Sequence, residues 1–176
     1  GAYRDWDFNL FAGITDTDET DASANAGTLV INEIVAKDAD GGNDWIELYV
    51  TEGTVVLGDY TIVDDGADHE PQDLPDVSLS AGDFYIIEAI DEEDECPEGS
   101  FCVAFKLGSN DSVTLYNNNV QVDILDWAEG EADEGYSYGL LPDGAGIAQT
   151  LSPTKGAANE ASVDDDDDDD DTDTIE

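Results

Sequence analysis

Apolar residues recur along this chain in short runs with a period of two. In residues 1–11, Trp6, Phe8 and Leu10 fall on one side and Asp5, Asp7 and Asn9 on the other. That alternation is the signature of a strand, whose successive side chains point to opposite faces. Residues 12–27 are small and acidic, and read as a linker. From Thr28 onward, apolar runs predict strands over residues 30–37, 45–50, 60–63, 84–89 and 102–107. In the last of these, Phe101, Val103, Phe105 and Leu107 alternate with Cys102, Ala104 and Lys106. The stretch VTLYNNNVQVDI predicts a hairpin with residues 117–119 in the turn, since Asn tolerates the left-handed conformation. Ile46, Leu48, Val113, Leu115, Val122 and Ile124 are the expected core. No segment has the 3.6-residue periodicity of an amphipathic helix. Many short strands punctuated by turns predict an all-β sandwich or barrel. The expected organisation is an N-terminal strand and linker (residues 1–27), a β domain (28–160) and an acidic tail (161–176).

Charge sharpens this picture. The 176 residues carry 46 Asp and Glu against 4 Lys and Arg, a net −42. The tail holds eight consecutive Asp, residues 164–171, and residues 164–176 together account for only ten of the acids. Without those the remainder still stands at −32, so the folded part is itself strongly acidic. Such a surface repels phosphate backbones and anionic lipid, which excludes nucleic acid and membrane insertion as partners. It also repels itself unless counterions screen it. At seawater-like salt the screening length falls to roughly 4–5 Å. A saline or calcium-containing medium is expected, the plain alternative being that acidity serves solubility.

Few residues carry candidate chemistry. Cys96 and Cys102 flank five residues that include Pro97 and Gly99. A zinc site would need further nearby ligands, and a redox pair would need two intervening residues. A structural disulfide is therefore expected, and with it a secreted or cell-surface location. No signal peptide or membrane span is read, and a chain beginning at Gly1 is expected to be a processed form. The stretch GYSYG matches the G-x-S-x-G elbow of serine hydrolases, but no histidine follows Ser137. Paired carboxylates carry no information among so many acids. Oxygen ligands at short spacing suit calcium. Three clusters qualify: Asp16, Asp18 and Asp21; Asp38, Asp40, Asn43 and Asp44; Asp64, Asp65 and Asp68. None follows the EF-hand pattern, and each could be only a turn.

Several segments, in order, resemble the lamin tail domain family. VINEIVAKDADGGNDWIELYV is similar to its N-E-I, acidic loop and W-I-E-L-Y-N opening. LGDYTIVDDG, LSAGDFYII, FKLGSNDSVTLYNNNVQVDILDW, SYGLLPDG and SPTKGAAN resemble later family segments, so the likeness spans about residues 28–159. Val50, Leu140 and Lys155 stand where the family usually has Asn, Arg and Pro. The resemblance implies an immunoglobulin-like two-sheet sandwich and a non-catalytic module of secreted or surface proteins. The expected function is an extracellular structural or interaction module, stabilised by salt or calcium. The alternative is a surface-targeting or accessory domain of a larger secreted hydrolase. The N-terminal strand lies outside the resemblance, and its apolar face (Trp6, Phe8, Leu10) needs a sheet edge to cover it. That edge belongs either to its own domain or to a neighbour's, which would build a homopolymer.

Overall fold

The computed structural model describes residues 27–91 and 96–162. Among them the chain is all-β, with thirteen strands, one short 3₁₀ turn and no α-helix. The strands are β1 (Thr28–Val35), β2 (Asp44–Glu52), β3 (Thr54–Val56), β4 (Tyr60–Asp64), β5 (Gln72–Asp73), β6 (Ser78–Ser80), β7 (Phe84–Ala89), β8 (Cys102–Val103), β9 (Asp111–Asn117), β10 (Val120–Trp127), β11 (Ser137–Leu141), β12 (Ile147–Ser152) and β13 (Glu160–Ala161). They form a seven-stranded sheet, β13-β12-β11-β1-β2-β7-β8, a four-stranded sheet, β10-β9-β4-β5, and a small β3-β6 pair. One core lies between the larger sheets. Leu29, Ile31, Ile34, Ile46, Leu48 and Ile87 contribute from the first, and Ile62, Val113, Leu115, Leu125 and Trp127 from the second. The N-terminal strand expected from the sequence and residues 163–176 of the expected tail fall outside the described residues, while Ala161 belongs to β13.

β1 and β2 are buried on both faces, which is why their sequences are nearly continuously apolar. A β-bulge sets their side-chain directions. Ile31 pairs with Leu48 and Glu33 with Glu47, leaving Asn32 as the extra residue. Leu29 and Ile31 face the core before it, and Ile34 and Ala36 after it. The bulge thereby sends both Asn32 and Glu33 away from the core.

The β9–β10 hairpin forms where the sequence places it. Asn118 and Asn119 make its turn, both at positive φ (48° and 63°). Two central residues at positive φ match the twist of a tight hairpin. The expected core membership of Val122 and Ile124 is wrong: they are 48% and 47% exposed. Near the turn, Val120 pairs with Asn117 and Gln121 with Tyr116; then the register shifts and Asp123 pairs with Leu115. Without that bulge, Val122 and Ile124 would oppose Leu115 and Val113 and point inward. With it, Leu125 and Trp127 take the core positions opposite Val113 and Asp111. Burying Leu and Trp in place of Ile and an ionised Asp126 favours the bulged register.

The strand expected at 102–107 ends at Val103. Its alternation persists, with Val103, Phe105 and Leu107 buried and Ala104 and Lys106 exposed. Side chains replace the missing ladder: Ala104 N donates to Gln72 Oε1 (2.9 Å) and Leu107 N to Asp44 Oδ2 (3.1 Å).

Candidate functional site

The polar residues of the opening motif converge on the outer face of the seven-stranded sheet. Asn32 and Glu33 arrive there through the β1 bulge, and Glu47 through the alternation of β2 around Ile46 and Leu48. Two loops close over them, the 142–146 turn between β11 and β12 and the 153–159 segment after β12. Glu47 accepts from Asn32 Nδ2 at 3.0 Å and from Gly156 N at 2.7 Å. Glu33 accepts from Thr154 N at 3.1 Å and Thr154 Oγ1 at 3.0 Å. Asp143 Oδ1 accepts from Asn32 Nδ2 and Asn159 N, while Gly144 N donates to Asn32 Oδ1. Asn159 Nδ2 completes the set by donating to the carbonyls of Asn32 and Leu140. Gly139 lies directly beneath: a Cβ there would sit 2.5 Å from Asn32 O and 3.1 Å from Asn159 Nδ2. Beside the clamp, Lys155 pairs with Glu88 (2.7 Å) and stands over the Trp45 ring.

Asn32, Glu33 and Glu47 are fully buried. Burial pushes the Glu47 carboxyl up to about 7, against the lowering effect of its bonds from Asn32 and Gly156. Glu33 is raised as well, chiefly by burial, with the Ser137 and Thr154 hydroxyls and the Thr154 amide holding it down. Ser137 opens β11 fully buried. Its Oγ is near enough to act on Glu33 yet outside hydrogen-bond geometry. The GYSYG stretch is thus a turn at Gly135 that leads into β11, which pairs with β1, and not a strand–turn–helix elbow.

The acidic clusters come apart in the fold. Asp38 Oδ1 accepts from Asp40 N (2.8 Å) and Gly42 N (3.3 Å), which makes a turn. Asn43 lies in the same loop, just before β2. Asp44 turns inward to Leu107 N, and burial raises its carboxyl to about 6. Asp64, buried at the end of β4, meets His69 Nδ1 at 2.6 Å, and Asp68 is exposed. Asp65 shares a hydrogen bond with Asp111, the main cause of its raised pKa, with Asp64 and Asp126 also near. The Asp111 partner lies 46 residues away, so no local spacing announces it. Among the described residues no group of three or more His, Cys, Asp or Glu is arranged to hold a metal ion. Asp16, Asp18 and Asp21, like Trp6, Phe8 and Leu10, lie outside the described residues. Cys96 and Cys102 are disulfide-bonded, their Cα atoms 6.0 Å apart, and tie the end of the 96–102 loop to β8. No helix among the described residues is long and apolar enough to cross a membrane. No protein-family model matches the chain, and no curated protein matches it either.

Proposed function

We propose that this chain is a non-catalytic structural or interaction module of an extracellular, cation-rich setting, built as an immunoglobulin-like sandwich of the lamin-tail type. The clamp carries this reading. The motif residues Asn32, Glu33, Glu47, Asp143, Thr154 and Asn159 direct their polar atoms at one another and at loop backbone. Polar chemistry directed inward in this way fixes a scaffold and leaves little of it for a substrate. The Cys96–Cys102 bond supports an oxidising compartment, where disulfides persist. The net charge of −42 supports a medium rich in cations, calcium among them.

Cell fractionation with thiol labelling tests the proposal. The protein is expected in the medium or the cell envelope, with cysteines that react with an alkylating reagent only after reduction. Recovery from the cytoplasm with two alkylatable thiols would overturn it.

A further inference from the structure

β10 is an open edge. Among the described residues its ladder partner is β9 alone. Val120, beside the turn, is 65% exposed, and the bulge leaves Val122 and Ile124 exposed by 48% and 47%. The first half of β1 presents a second open edge. Among the described residues β1 meets β11 only at Glu33 and Ile34, so within them residues 28–31 have ladder bonds on the β2 side alone. Asp123 Oδ2 accepts from Ile31 N at 2.7 Å and joins the two edges at one end. Beside this tie a groove of about 530 Å³ lies between them, with Leu29, Val30, Tyr60, Val120 and Val122 as its apolar wall and Gly27 among its lining residues. An apolar sheet edge left open invites pairing with another chain, and natural proteins cover such edges.

We propose that residues 5–11 of the same chain fill this groove as a strand added to β10. Their alternation supplies Trp6, Phe8 and Leu10 on a single face, to set against the apolar wall. Residues 12–26 connect this segment to Gly27, which itself lines the groove. A coil of that length reaches about 20–23 Å, enough to place the segment along β10 in either direction. Tethering at a residue of the groove's own lining supplies the strand at an effective concentration in the millimolar range. A second copy would have to bring another body of the same net charge, −42, against this face. The C-terminal tail, with eight consecutive Asp, has no apolar face to offer. The inference goes beyond the proposed function and does not depend on the family or the habitat. It gives the N-terminal segment a role as an edge guard that keeps the sandwich from pairing with its neighbours.

Hydrogen exchange of the full chain tests it, compared with a Trp6→Ser/Phe8→Ser variant and with Val122→Asp. In the full chain, amides in 28–31 and 120–124 are expected to be protected. Both variants are expected to speed their exchange by an order of magnitude or more, leave β2 protected, and sediment as monomers like the parent. A second measurement covers a variant that fails to fold: the fluorescence difference between the full chain and Trp6→Phe isolates Trp6, and a blue-shifted emission is expected. Equal exchange in the parent and the folded variants would overturn the proposal, as would a water-like Trp6 emission. A parent that sediments as an oligomer which Trp6→Ser/Phe8→Ser dissolves would also overturn it, because the strand would then come from a neighbour.

Discussion

Glu47 shows how a single residue serves the fold and limits it. Its two oxygens receive bonds from strand and loop, yet burial holds the carboxyl near 7, well above its ordinary 4.5. The folded state therefore keeps a proton that the unfolded chain has released. The stability this group contributes is fully present below about pH 4.5 and is lost as pH rises through about 7. Asp44, raised to about 6, acts in the same sense over a lower window. The melting temperature is expected to rise on acidification from about pH 8 to about pH 5. Glu47→Gln should flatten the upper part of that rise and cost about 1–3 kcal/mol, because it replaces one of the two oxygens that accept from Asn32 Nδ2 and Gly156 N with an NH₂ that can only donate. An unchanged slope in the variant would assign the titration to other groups. The residues of the clamp fall within N-E-I, W-I-E-L, P-D-G and the segment after β12, but nothing in the sequence singles any of them out as a site, because Asn32 and Asn159 meet across a separation of 127 residues.

At the scale of elements, local chemistry was legible and register was not. The Asn-rich turn announced the β9–β10 hairpin because left-handed backbone favours few residue types. Asn119→Ala is expected to destabilise the protein by about 1–2 kcal/mol, because Ala keeps the Cβ at a φ of 63° but loses the short polar side chain that lets Asn hold the left-handed conformation. Asn119→Gly should come close to the parent; an alanine variant melting with the parent would show that the turn does not hold the hairpin. The faces of β10 were misread because one bulged residue inverts every position beyond it. That extra residue is favoured by Leu125 and Trp127 at the far end of the strand, so a window around Val122 cannot reveal it. The 102–107 segment failed differently. Its period of two correctly marked the buried side chains, but its amide partners are the side chains of Gln72 and Asp44. Alternation reports which side faces the core, while a ladder requires a neighbouring strand.

At the scale of the whole molecule, charge opposes compactness. Residues 1–163 alone carry −32, and Asp65 and Asp111 stand close enough to share a hydrogen bond. Monovalent salt screens such repulsion at every site alike, and its effect grows as the screening length falls. A divalent cation does more where oxygens already crowd, because one ion offsets two charges. Calcium is therefore expected to raise the melting temperature further than sodium chloride of equal ionic strength. Ion binding confined to the native state adds about 2.7 kcal/mol at a hundredfold excess over Kd. The measurement is a thermal melt of the full chain in calcium, in sodium matched for ionic strength, and in calcium with excess chelator. Chelation should return the calcium melt to the sodium value. Equal shifts from the two salts would mean that screening accounts for the whole effect and that calcium has no specific part in holding this fold together.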